Sequence, residues 1–104
     1  MLTILTSQEK KEVVFESDMT IYEAALLYQE IIEKLTFDAD ITVNLTQVAE
    51  IDTSGIQLIL QLYFLAQDRH FTLNHIVHGD ASAQAFELLQ LDVDRFDHIF
   101  DVKV

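Results

Sequence analysis

At 104 residues, half of them hydrophobic, the chain has the length of one domain and enough apolar side chains for a packed core; no Gly/Ser linker, repeat or low-complexity tract divides residues 1–104. The absence of cysteine excludes disulfides, thiolate metal sites and cysteine nucleophiles, and fits a reducing, cytoplasmic setting. Eighteen acidic against six basic side chains leave a formal charge of −12, which repels nucleic-acid phosphates and anionic membranes and favours a basic protein partner.

The first residues, Met1 to Thr6, lack the positive start and sustained apolar stretch of a signal peptide. No later stretch reaches the roughly 20 apolar residues of a membrane span, so no membrane insertion is expected. Leu2 to Thr6 and Val13 to Phe15 read as two short antiparallel strands joined through polar Ser7 to Lys11. A first helix is expected from about Thr20 to Leu35. Thr20-Ile21-Tyr22-Glu23 has the form of a capping box, and Met19 is placed to staple onto Ala24. Helical spacing puts Ile21, Ala25, Tyr28, Ile32 and Leu35 on one inward stripe, joined by Ala24, Leu27 and Ile31; Tyr22 and Tyr28 also read as core residues. Glu23, Glu30, Glu33 and Lys34 are left to water, with Glu30 and Lys34 spaced for an i,i+4 ion pair.

Ile41 to Leu45 alternates as a third strand, and Asp52-Thr53-Ser54-Gly55 then opens a long apolar helix running to Arg69. Ser54 lies at a helix start, where a hydroxyl can cap the first turn; a phosphate on it would lie near the free N–H groups there. Along this helix Gln57, Gln61 and Asp68 form one polar strip. Ile56, Ile59 and Tyr63 are suited to cover a sheet. Leu58 and Leu65 on one flank and Phe64 on the other either border the strip as partner contacts or are buried by neighbouring helices.

Phe71 to Val77 returns to strand character, completing a β-α-β unit with the Asp52 to Gly55 turn at the carboxyl end of its strand. Asp80 is placed to cap a third helix reaching about Gln90, with Ala81, Ala85, Leu88 and Leu89 inward. Leu91 to Phe96 reads as a brief helix and Ile99 to Val104 as an edge strand. The histidines His70, His75, His78 and His98 form no metal-binding motif, and there is no nucleophile elbow, P-loop lysine or G-x-G-x-x-G run. No enzyme, cofactor or metal is expected.

Two opening strands, a helix, Val43-Asn44-Leu45-Thr46 and then Glu50-Ile51-Asp52-Thr53-Ser54-Gly55-Ile56-Gln57-Leu58-Ile59-Leu60 together resemble the STAS domain of bacterial anti-sigma-factor antagonists. The resemblance implies a small α/β domain, a mixed four- to five-stranded sheet packed against helices, acting as a non-catalytic regulatory module. It implies phosphorylation of Ser54 by a partner that is both GHKL-type serine kinase and anti-sigma factor, reversal by a PP2C-type phosphatase, and a partner surface of Asp52, Thr53, Ser54, Gly55, Gln57, Leu58 and Gln61. The chain departs from the family pattern in keeping only Glu16 and Asp18 of Gly-Glu-Leu-Asp before the first helix, and in having Asn44 where many relatives carry Asp. Its Met19 to Ala24 and Asp52 to Leu58 segments are also similar to small STAS proteins of chemotaxis kinases. Less closely, it resembles the STAS subunit of phospholipid-transport ABC systems, where a threonine at the position of Thr53 matters. A constitutive adaptor is the alternative these imply.

Overall fold

The computed structural model describes residues 2–7, 10–36 and 38–88. Two short strands, β1 (Leu2–Ser7) and β2 (Lys10–Phe15), pair antiparallel with Leu2 opposite Phe15 and Ser7 opposite Lys10. Helix α1 (Ile21–Lys34) leads to β3 (Asp40–Asn44), which lies parallel to β2. Helix α2 (Thr53–Asp68) leads to β4 (Leu73–Val77), parallel to β3, and α3 (Asp80–Leu88) follows. The sheet is mixed, in the order β1-β2-β3-β4. Among the described residues four strands and three helices thus make the small α/β architecture expected from the sequence.

Strand alternation decides which side of the sheet is covered, with a shift of register between Ile41↔Leu73 and Thr42↔His75 that keeps Leu73 and Ile76 on the same side. Val13, Phe15, Ile41, Val43, Leu73 and Ile76 are almost wholly buried. They share one apolar cluster with Leu27 and Ile31 of α1, Ile56, Leu58, Ile59, Leu62 and Ala66 of α2, and Phe86 of α3. Of the intervening residues, Glu12, Thr42 and Asn44 are half-buried, while Val14 is buried.

On α1 the inward stripe differs from the expected one. Leu27, Ile31 and Leu35 are buried, but Ile21 is 66%, Tyr22 86%, Leu26 63%, Ile32 51% and Tyr28 38% exposed. Apolar residues cover most of this helix's circumference, so spacing alone gave the stripe no unique direction. The Thr20 side chain makes no capping hydrogen bond either; Thr20 serves through its backbone carbonyl, which accepts from Glu23 and Ala24 N–H at 2.9 Å. Lys34 and Glu30 form the expected i,i+4 pair at 3.0 Å.

The fourth strand begins later than its apolar run because the end of α2 uses the intervening backbone. His70, at φ 67°, occupies the left-handed position of a Schellman closure, its N–H donating to Gln67 O and that of Phe71 to Ala66 O, both at 2.9 Å. At α3, Asp80 is the first helical residue rather than its cap; Gly79 O accepts from Ala83 N–H, and Ser82 Oγ accepts from Gly79 N–H at 3.1 Å. Ser82, Ala85 and Phe86 form its buried side, while Leu88 is 80% exposed, contrary to expectation. The expected tail elements at Leu91 to Phe96 and Ile99 to Val104, with Leu89, lie outside the described residues.

Candidate functional site

The start of α2 is built around one carboxylate. Asp52 is the N-cap: its Oδ1 accepts from Ser54 N–H at 2.8 Å and Gly55 N–H at 3.3 Å, and its carbonyl accepts from Ile56 N–H at 3.1 Å. This corrects the capping role expected of Ser54, which sits inside the first turn with its N–H already taken. The other oxygen, Oδ2, accepts from Ile21 N–H at 3.0 Å, so the same side chain also caps α1. Sequence spacing carries no signal for this bond, which joins residues 31 positions apart.

Backbone bonds reinforce the junction. Met19 N–H donates to Glu50 O at 2.8 Å and Asp52 N–H to Met19 O at 3.2 Å, forming a parallel bridge between Met19 and Ile51. Glu50 N–H in turn donates to Asp18 Oδ1 at 3.2 Å. Met19, fully buried, thus ties the approach to α1 onto the approach to α2. Gly55 is required by proximity: a Cβ there would lie 2.3 Å from Met19 O and 2.7 Å from Ile51 Cγ1.

Above this junction Thr53 is exposed and Ser54 half-buried. Neither hydroxyl hydrogen-bonds to another described residue. Gln57 and Gln61 are exposed, as expected, whereas Gly55 is buried and Leu58 is only 3% exposed. Leu58 packs in the shared core, so its expected contact with a partner falls away. Phe64, 61% exposed, is the flank residue that does reach the surface. An open cleft of about 640 Å³ adjoins the junction, lined on one side by Thr20, Tyr22, Asp52 and Thr53 and on the other by Gln84 and Leu88 of α3.

Asn44 closes β3 with both ends of its amide. Its Nδ2 donates to Glu12 Oε2 at 2.8 Å, and its Oδ1 accepts from Thr46 N–H at 2.9 Å and Thr46 Oγ at 2.6 Å. An aspartate would lose the donor and face Glu12 with like charge, which accounts for asparagine here.

Of the histidines, His78 is engaged locally at the start of α3. His78 Nδ1 lies 2.8 Å from Ser82 Oγ, with its ring edge-on to Phe86 at 4.6 Å; His98 lies outside the described residues. Among the described residues no three His, Cys, Asp or Glu side chains are grouped to hold a metal ion. No helix among them is long and apolar enough to cross a membrane.

The family pattern described as "Mlab, STAS domain" matches residues 4–99. The chain belongs to the STAS family. No curated protein matches it. Among solved structures it is similar to a Thermotoga maritima protein provisionally described as an anti-sigma factor antagonist, with a TM-score of 0.70 and 12% identity over 94% of this chain and 93% of that one. That likeness concerns the fold. As a STAS domain the chain is a non-catalytic regulatory module that works by binding protein.

Proposed function

We propose that this STAS domain is a switched protein-binding module of the anti-sigma-factor-antagonist type. Its contact surface is Thr53, Ser54, Gln57 and Gln61, held in place by Asp52 and Gly55. The partner is a GHKL-type serine kinase that is also an anti-sigma factor. It phosphorylates Ser54 and is thereby released, and a PP2C-type phosphatase restores binding.

The observation that carries this reading is the division of labour at the helix start. Asp52 does the capping, so the Ser54 hydroxyl is left without a structural bond among the described residues. A phosphate there adds about −1.5 to −2 charges. It would meet N–H groups already occupied and the Asp52 carboxylate beside them, so it gains little from the helix start and acts mainly at the contact, where its bulk and charge exclude a close-fitting partner.

Phosphosite mass spectrometry of the protein and its co-purified partners from its native cells tests this. Phosphate is expected on Ser54 in the partner-free fraction and not in the bound fraction. Ser54→Ala should abolish incorporation and leave binding constitutive, while Ser54→Asp should weaken the complex by roughly tenfold or more. A specific observation favours a second reading: the family description names Mlab, and Thr53 is the more exposed hydroxyl. On that reading the domain is a constitutive adaptor or subunit in a phospholipid ABC-transport or chemotaxis-kinase assembly. Absence of Ser54 phosphate, together with loss of a stable partner on Thr53 replacement, would select it.

A further inference from the structure

The exposed apolar stripe of α1 has no counterpart covering it among the described residues. Ile21, Ala25, Tyr28 and Ile32 recur at the i, i+4, i+7, i+11 spacing of one helix face, and all four are exposed. Isolated surface aliphatics are ordinary, but a row three turns long is a contiguous patch of the kind that marks an interaction site. It is also bounded: Tyr28 shares an open groove with Gln61, Phe64 and Leu65 of α2. At its other end Ile21 is bonded to Asp52. The stripe therefore starts at the capping junction and adjoins α2 at Tyr28.

Charge restricts what can lie there. The three described helices carry Glu23, Glu30, Glu33, Asp68, Asp80 and Glu87 against one cation, Lys34, which is bound to Glu30. A second copy would bring the same excess of carboxylates on a chain of net charge −12. An anionic membrane is repelled for the same reason. The complementary occupant is an amphipathic helix with an apolar stripe and Lys or Arg along its flanks, laid in the groove as helix-in-groove recognition does.

We propose that the exposed α1 face of Ile21, Ala25, Tyr28 and Ile32, joined at Tyr28 to the groove lined by Gln61, Phe64 and Leu65 of α2, is a docking surface for a basic amphipathic helix of a partner protein. The proposal stands whether or not Ser54 is phosphorylated, because the apolar stripe lies on α1 and the docking surface shares only Gln61 with the contact surface proposed above.

The test uses the full chain and a synthetic helical peptide about five turns long with Leu at i, i+3, i+4 and i+7 and Lys on its flanks. Two further peptides serve as controls, one with the same residues scrambled to remove the stripe and one with Glu flanks. The striped basic peptide is expected to shift the NMR amide signals of Ile21, Ala25, Tyr28, Ile32, Gln61 and Phe64, and to bind roughly tenfold or more tighter than either control. Ile21→Ser with Ile32→Ser should reduce binding by roughly tenfold, with the amide spectrum of the sheet unchanged. Ser54→Ala should bind as wild type, which separates this groove from the phosphorylation switch. Equal binding of the scrambled peptide would reduce the effect to bulk charge and overturn the proposal, as would shifts confined to other faces. Dimerisation of the unbound chain that the double Ser variant abolishes would assign the stripe to a second copy instead.

Discussion

Asp52 serves two helices with one side chain, and each of its oxygens can be tested separately. Replacement by Ala leaves three N–H groups without their acceptor, two at the start of α2 and one at the start of α1. At about 0.5–2 kcal/mol per lost cap, Asp52→Ala should cost roughly 2 kcal/mol in urea unfolding. Asp52→Asn keeps one carbonyl oxygen and turns an amide NH₂ toward the other donor, so it should fall between wild type and Ala. An Asn variant as stable as wild type would mean that the bond to Ile21 contributes nothing. At Gly55 the argument is steric, since the obstructing atom is the backbone carbonyl of Met19, which cannot swing aside as a flexible side chain does. Gly55→Ala is expected to cost about 2–3 kcal/mol, at the upper end for overpacked sites.

At the scale of elements, the sequence was most legible where composition left one choice. The alternation of Ile41 to Leu45 and the break at Gly79-Asp80 place β3 and the start of α3 within a residue of the observed bounds. Helix α1 was legible in extent but not in orientation. With Ile21, Tyr22, Ala24, Ala25, Leu26, Leu27, Tyr28, Ile31 and Ile32 in one helix, two adjacent stripes both satisfy helical spacing, and only the packing of the sheet and α2 selects the one through Leu27 and Ile31. The candidate site was legible in position through Asp52 to Gly55, and Gln57 and Gln61 were correctly placed at the surface. The roles of Asp52 and Leu58 were not, since both depend on what α1 brings to α2. Truncation separates the two stripes: Leu27→Ala should cost about 3 kcal/mol, as a large cavity does, whereas Ile32→Ala should stay within about 0.5 kcal/mol. Comparable losses for both would show that Ile32 is covered in solution.

For the whole molecule the dominant electrostatic fact is the charge of −12, against which the local ion pairs act. Lys11 Nζ lies 2.7 Å from Asp38 Oδ1, and Lys34 Nζ 3.0 Å from Glu30 Oε2. The hydrogen bond from Lys11 holds the Asp38 carboxyl below its ordinary value, and that from Lys34 does the same for Glu30. A depressed carboxyl contributes stability that is present above its unfolded pKa and lost as pH falls through the lower folded value. Both contributions are therefore complete at pH 7 and fade in acid below the ordinary values of 3.8 for Asp38 and 4.5 for Glu30. Salt acts on the pairs and on the net charge in opposite directions. It screens the attraction in each exposed pair, worth up to about 1 kcal/mol, and it screens the mutual repulsion of the excess carboxylates, which favours the compact state. With only six Lys and Arg to pair against 18 carboxylates, the excess of negative charge remains whatever pairs form, so repulsion should dominate. The urea midpoint at pH 7 is expected to rise between about 20 mM and about 500 mM NaCl, where the Debye length falls from roughly 20 Å to under 5 Å. Replacing Lys34 by Met, which deepens the net charge and breaks the pair with Glu30, should steepen that rise; a midpoint that falls with salt would mean the ion pairs outweigh the net charge.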